Sequence, residues 1–209
     1  MTLPEELKEA IRHLPSNQKD KLIFRLLKKD LNLANQLLFE LVSTEPVEVR
    51  RDKIKVKLQR DIDGCAVRFY STGYLNMEVR GMSGMITEHV NITKDKYGEA
   101  ALNLWMINEV LEKSNEKILS ESYSKAEKFC TSVITRTFKI MLLIKKLHED
   151  YLIDFEDNMR RLGNNIGRNP YLMKCAIYNG LDVNWLIQVD IPNDIEAIHR
   201  KLRDRGYLR

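Results

Sequence analysis

Basic side chains between residues 50 and 60 are the first feature of this sequence that could do chemistry. If this stretch is helical, steps of three and four residues place four of them on one flank beside an apolar stripe: Arg50, Lys53, Lys57 and Arg60. A cationic ridge of this kind can bind phosphates or an acidic protein surface. No aromatic residues are interleaved, as a single-strand binder would require. The ridge is a predicted nucleic-acid or acidic-partner surface, and a solvated helix flank is the alternative interpretation.

A second basic cluster follows residue 199, at Arg200, Lys201, Arg203, Arg205 and Arg209. Cations in the last turn of a helix interact favourably with the helix dipole. This cluster therefore has an explanation that needs no ligand.

One pair of carboxylates has a spacing that could serve a divalent cation. Glu109 and Glu112 lie three residues apart and so share a helix face, as in all-α enzymes that use magnesium to cleave nucleoside triphosphates. Such an enzyme needs further acidic residues on a facing helix, and Asp150, Asp154 and Asp157 do not form the matching pair. A metal-dependent nucleotide hydrolase is therefore only the third functional hypothesis.

Other metal patterns are incomplete. Glu196 and His199 have the Glu-x-x-His spacing of di-iron bundles, but the second such pair that a di-iron site needs does not occur. The run from Asp61 to Gly64 resembles the start of a calcium loop without its closing glutamate. His148 lies in a polar patch typical of a solvated helix face. We predict no catalytic residue, no metal and no cofactor.

Cysteine usage indicates a reducing compartment. Cys65, Cys130 and Cys175 are an odd, widely spaced set without a Cys-x-x-Cys pair, which argues against a disulfide framework and a structural zinc site. Cys130 lies on an apolar stripe and is predicted to belong to the core. The sequence opens without the pattern of a signal peptide, and no apolar run approaches a membrane span. We expect a cytoplasmic protein.

Composition favours a helical globular protein. Hydrophobic residues make up 44% and charged residues 31% of the 209, and only 9 glycines and 5 prolines occur, which argues against disorder. The 34 basic and 30 acidic residues leave a net charge of +4, a weaker excess than dedicated nucleic-acid binders carry. Another protein is therefore the expected partner, and nucleic acid is not favoured.

The longest helical stripe runs over residues 122–157. Mostly apolar side chains recur there at steps of three and four without an intervening proline: Tyr123, Ala126, Cys130, Val133, Thr137, Ile140, Ile144, Leu147 and Tyr151. Further apolar residues widen the middle of the stripe, so the helix needs partners on several faces. We predict an all-α fold, a multi-helical bundle or stacked antiparallel helix pairs around this one long central helix.

Shorter helices precede and follow the stripe. Thr2 and Glu5 have capping-box spacing, and Asp30 can cap a third helix. Gly81 and Gly84 fall inside a helical pattern, where close approach of a neighbouring helix is the expected reason.

Turn residues at 61–73 predict a loop between an N-terminal helical segment, 1–62, and a C-terminal helical segment, 74–209, within one continuous domain. Two stretches are ambiguous. Helix is favoured over strand at 47–60, whereas a short strand and helical or extended packing are equally expected at 183–191.

Many amphipathic helices without an assembled catalytic pattern favour a non-enzymatic role. We predict a cytoplasmic interaction or scaffold protein that binds another protein through a helical surface. A nucleic-acid-associated regulator that uses the ridge at 50–60 is the alternative.

Overall fold

The computed structural model describes residues 3–209, and all regular structure in this part of the chain is helical. Eleven α-helices hold most of the described chain, which is 80% helical and contains no strand. The predicted all-α fold class is confirmed, while Thr2 of the predicted capping box lies outside the described residues. No helix within residues 3–209 combines the length and the apolar character needed to cross a membrane. The helices are α1 (Glu5–His13), α2 (Ser16–Leu27), α3 (Leu31–Leu41), α4 (Val47–Val67), α5 (Thr72–Thr93), α6 (Lys96–Ser120), α7 (Tyr123–Lys145), α8 (Leu152–Gly167), α9 (Pro170–Tyr178), α10 (Asn184–Ile187) and α11 (Ile195–Asp204).

Helices α1–α3 belong to the first of two compact units, which ends at Glu45 and also includes Asn91–Thr93. All three helices are amphipathic, and none of their residues is fully buried. Asp30 caps α3 as predicted, because its carboxylate accepts a hydrogen bond from the backbone N–H of Leu33 at 3.0 Å. Local capping therefore defines the start of α3.

The second unit comprises Pro46–Val90 and Lys94–Arg209, and α6 is its central helix. Helices α4, α7 and α8 all pack against α6, whose 25 residues include buried side chains around most of its circumference. Helix α7 packs in turn against α9 and α11, and α8 packs against α9 and α10. The predicted segments 1–62 and 74–209 stay a prediction of domain organisation.

The predicted single helix at 122–157 is wrong, because the apolar stripe is divided between α7 and α8. Helix α7 ends at Lys145, and a 3₁₀ turn at Glu149–Tyr151 precedes α8. At His148 the backbone is extended, and the ring Nδ1 accepts a hydrogen bond from the N–H of Asp150 at 3.4 Å. A side-chain acceptor of this kind offers the backbone an alternative to continuing the helix. Helix α8 consequently packs against α6 instead of extending α7.

Helix α4 confirms the helical interpretation of residues 47–60 and continues beyond them. The loop predicted at 61–73 is wrong over its first half, since Leu58, Ile62 and Cys65 form one buried helical stripe. Burial of this stripe against the core keeps the chain helical through the turn-like residues that lie within it. Only a short connection separates α4 from α5.

The short strand considered at 183–191 is wrong, because α10 and its flanking turns occupy this stretch. The backbone bonds locally, as where the N–H of Gln188 donates to the carbonyl of Asn184 at 2.8 Å, so no sheet edge is required. Helix α10 also lies close against α8. A Cβ added to Gly163 would come within 2.7 Å of Cγ1 of Ile187.

Candidate interaction surface on helix α4

The outward face of α4 carries a shallow groove of about 500 Å³ in which apolar and cationic side chains alternate. We call this groove the α4 surface, and its lining residues all come from α4: Val49, Asp52, Lys53, Val56, Lys57 and Arg60. The two valines are 45% and 61% exposed. Exposed valines flanked by three cations form a surface with both an apolar and a charged component.

Helical periodicity explains why these residues share a face. The buried stripe of Leu58, Ile62 and Cys65 faces the core and packs α4 against α6. Steps of three and four residues then carry Val49, Lys53 and the other lining residues to the opposite side. The stretch from Val49 to Arg60 spans ~17 Å of helix at 1.5 Å per residue.

Three of the four residues predicted for the ridge line the α4 surface. Lys53, Lys57 and Arg60 are exposed there, as the helical interpretation predicted. Arg50 is half-buried and lies outside the lining of the groove. The α4 surface therefore contains three of the four predicted cations. It also contains two valines, Val49 and Val56, that were not part of the predicted ridge.

Arg51 turns inward from the same helix and anchors α4 through a buried ion pair. Its Nε donates to Oδ2 of Asp95 at 2.7 Å, and its Nη2 donates to Oδ1 at 2.9 Å. The same carboxylate accepts hydrogen bonds from Nε2 of His89 at 3.2 Å and from the backbone N–H of Gly98 at 2.8 Å. The guanidinium also lies over the ring of Tyr97, 4.9 Å from its centroid.

This anchor affects the ionisation of Asp95. Burial raises the pKa of its carboxyl, but hydrogen bonds from His89, Arg51 and the N–H of Gly98 outweigh burial and hold that pKa well below its ordinary value. No pattern in the sequence indicates this cluster. Arg51 looks like one more member of a basic run, and its partner lies 44 positions further along the chain.

The carboxylates of Glu109 and Glu112 do share a helix face, but a guanidinium occupies them. Nη2 of Arg161, on α8, donates to Glu109 at 2.8 Å, and the same guanidinium donates twice to Glu112. These hydrogen bonds lower the pKa of Glu112 and raise that of Arg161. Nδ2 of Asn165 adds a hydrogen bond to Oδ1 of Asn108 at 3.1 Å. The arrangement is an interhelical clamp between α6 and α8.

The remaining metal candidates are separated by the fold. Glu196 lies 3.3 Å from Nζ of Lys146, whereas the ring of His199 packs against Phe138 with centroids 5.8 Å apart. Asp63 lies within α4 and forms an ion pair with Lys113 of α6. Within residues 3–209, no group of three or more His, Cys, Asp or Glu side chains is arranged to hold a metal ion.

Two other sequence candidates have local explanations. The ring of His148 caps the 3₁₀ turn and lies 3.2 Å from the carboxylate of Asp150. In the second basic cluster, Lys201 and Arg203 occupy the last turn of α11 and Glu196 its first, the charge order that the helix dipole favours.

Neither a protein-family model, nor a curated protein, nor a solved structure matches this chain.

Proposed function

We propose that this protein is a non-catalytic interaction protein that binds an acidic, amphipathic segment of another protein along the α4 surface. The observation that carries the proposal is the placement of exposed Val49 and Val56 among Lys53, Lys57 and Arg60. Amphipathic segments commonly bind grooves through apolar anchors at helical spacing, while surrounding charges select the partner. A segment with two apolar anchors and flanking Asp or Glu residues matches this lining.

The composition of the lining favours protein over nucleic acid. Asp52 lies among the three cations and would repel a phosphate backbone, and the two valines offer nothing to phosphate. A nucleic-acid-associated regulator is the second candidate, supported by the same three cations. The proposal includes a cytoplasmic location, because the cysteines Cys65, Cys130 and Cys175 are all free thiols.

The experiment measures binding of a labelled synthetic peptide to the full chain. The peptide is an amphipathic helix of about four turns with a Leu stripe and Glu flanks. A peptide with the Glu residues replaced by Lys, a mixed-sequence single strand and a mixed-sequence duplex are titrated in parallel. We expect the acidic peptide to bind, and Lys57→Glu/Arg60→Glu to weaken binding at least about tenfold by replacing attraction with repulsion.

A matched control changes the same charge elsewhere. Lys201→Glu/Arg203→Glu on α11 alters the net charge equally and leaves the α4 surface intact. Peptide binding that is equal in both double variants, or absent in the wild type, would overturn the proposal. Salt-dependent binding of the single strand or duplex alone, lost in Lys57→Glu/Arg60→Glu, would replace it with the nucleic-acid candidate.

A further inference from the structure

Two cysteines from different helices meet beside a second groove of the same unit. Cys130 lies on α7 and Cys175 on α9, two helices that pack against each other, and an interaction between the two thiols contributes to the pKa shifts of both. The hydroxyl of Tyr123 lies 3.4 Å from Sγ of Cys175, and Oγ1 of Thr131 lies 3.9 Å from it. The sulfur of Cys175 is therefore surrounded by three groups that can donate hydrogen bonds.

The surroundings shift the thiol pKa values of Cys175 and Cys130 in opposite directions. Hydrogen bonds from Cys130, Tyr123 and Thr131 outweigh burial and lower the pKa of the Cys175 thiol. The same pairing, together with burial, raises the pKa of the Cys130 thiol. One sulfur thus favours the thiolate while its neighbour keeps its proton, the combination that a nucleophilic and a resolving thiol require.

Only one of the two sulfurs borders a groove that a small reagent could enter. Cys175 is 2% exposed and lines a groove of about 390 Å³, together with Lys128, Tyr178 and Tyr207. Cys130 is fully buried and does not line the groove. The groove therefore gives a reagent of the size of a hydroperoxide access to Cys175 and not to Cys130.

We infer that Cys130 and Cys175 form a hydroperoxide-reactive thiol pair, in which Cys175 is the nucleophile and Cys130 the resolving thiol. The oxidant is hydrogen peroxide or a small alkyl hydroperoxide. The Cys175 thiolate attacks the terminal peroxide oxygen, an S–O bond forms as the O–O bond breaks, and the leaving alkoxide or hydroxide takes up a proton. Cys175 is thereby oxidised to the sulfenic acid, and the peroxide is reduced to the alcohol or water.

The second step consumes the resolving thiol. The sulfur of Cys130 attacks the sulfenic sulfur, the S–S bond forms, and hydroxide leaves and takes the proton of the Cys130 thiol as water. The product is a disulfide between α7 and α9. A cellular dithiol reductant returns the pair to its resting state by exchange.

Cys65 supplies an internal comparison. It lies on α4, and burial together with the carboxylates of Glu78 and Asp61 raises its thiol pKa. Its environment thus disfavours the thiolate that attacks peroxide. The pair and the single cysteine should differ clearly in reactivity within one molecule.

The test treats the reduced full-length chain with hydrogen peroxide and maps thiols by mass spectrometry without reduction. We expect a Cys130–Cys175 disulfide with the loss of two hydrogen atoms, forming at least about tenfold faster than any oxidation of Cys65. In Cys130→Ser, Cys175 should accumulate as the sulfenic acid, which a cyclic 1,3-diketone captures. In Cys175→Ser, Cys130 should stay reduced, and Cys65→Ser should behave as the wild type.

The wild-type mapping needs no variant and decides the proposal even if a substitution disturbs folding, which circular dichroism would report. Absence of the disulfide, oxidation of Cys65 as fast as Cys175, or capture of Cys130 instead of Cys175 would each overturn the inference.

Discussion

Arg51 and Asp95 form a two-point ion pair that joins α4 to the start of α6, with Nε–Oδ2 and Nη2–Oδ1 distances of 2.7 and 2.9 Å. The aspartate side chain is only 5% exposed, and it also caps α6 by accepting from the N–H of Gly98. The helix that carries the α4 surface is therefore held by a desolvated charge pair as well as by its apolar stripe.

Replacement of Asp95 by Asn should destabilise the protein. The substitution leaves the half-buried guanidinium of Arg51 without its counter-charge, and breaking such a pair costs about 2–4 kcal/mol. Urea unfolding of the two proteins measures the difference. Asp52→Asn, on the exposed face of the same helix, is the control and should change the free energy of unfolding by less than about 0.5 kcal/mol. Equal effects of the two substitutions would contradict the expectation.

The contribution of Asp95 to the free energy of unfolding should decrease at low pH. Its folded-state pKa lies below the ordinary value of about 3.9 that applies in the unfolded chain. A lowered folded-state pKa contributes stability above the unfolded-state pKa, and this contribution is lost as the pH falls below it. The stability advantage of the wild type over Asp95→Asn should thus be constant from pH 7 to about pH 5 and shrink below about pH 4. An advantage that grew on acidification would disprove the assignment.

Arg161 should matter more than its neighbour Arg160. Arg161→Ala removes the shared partner of Glu109 and Glu112 and should cost about 1–2 kcal/mol, since the clamp is partly exposed and screened. Arg160→Ala removes only contacts within α8, to Glu156 and Asp157, and should cost less than about 0.5 kcal/mol. Chemical denaturation of both variants tests the ranking, and a larger loss in Arg160→Ala would reverse it.

Magnesium should not stabilise the folded protein through the glutamate pair. A ligand raises the unfolding temperature only if it binds the native state, and Arg161 already occupies the carboxylates of Glu109 and Glu112. Thermal unfolding at increasing magnesium concentration should give an unchanged midpoint. A rise that disappears in Glu109→Gln/Glu112→Gln would instead support the metal-dependent hydrolase.

Two helical glycines should respond to alanine in opposite directions. At Gly163 a new Cβ would meet Cγ1 of Ile187 at 2.7 Å, so Gly163→Ala should destabilise by about 1–3 kcal/mol. At Gly81 a new Cβ meets nothing within 4 Å, so Gly81→Ala should stabilise α5 by about 0.5–1 kcal/mol. Thermal unfolding of the two variants compares them. The prediction that a neighbouring helix closely approaches Gly81 and Gly84 is wrong, because a Cβ at either position would meet nothing within 4 Å. Such a close approach occurs instead at Gly163, against α10.

The main outlines of the fold could be predicted from residues that are near one another in the chain. Apolar spacing predicted the helix at 47–60 and placed Lys53, Lys57 and Arg60 on one flank. Asp30 was recognised as a cap from its type and position. These features depend on interactions within about one helical turn, so a linear pattern contains the information they need.

The length of the long helix could not be predicted in the same way. The stripe continues in phase through Leu147 and Tyr151, yet α7 ends at Lys145. Helix α8 packs against α6. The free energy gained by such packing can exceed the small difference between continuing a helix and capping it. A periodicity count includes no term for that gain.

The side-chain pairs that anchor α4, join α6 to α8 and form the proposed thiol pair connect residues far apart in sequence: Arg51 with Asp95, Glu109 with Arg161, and Cys130 with Cys175. Each of these residues looks ordinary in its local sequence. Whether two such side chains meet depends on how the helices cross and on which turns face each other, and local periodicity carries no record of either. The sequence was therefore sufficient for the helices and their faces, whereas their partners follow from packing in three dimensions.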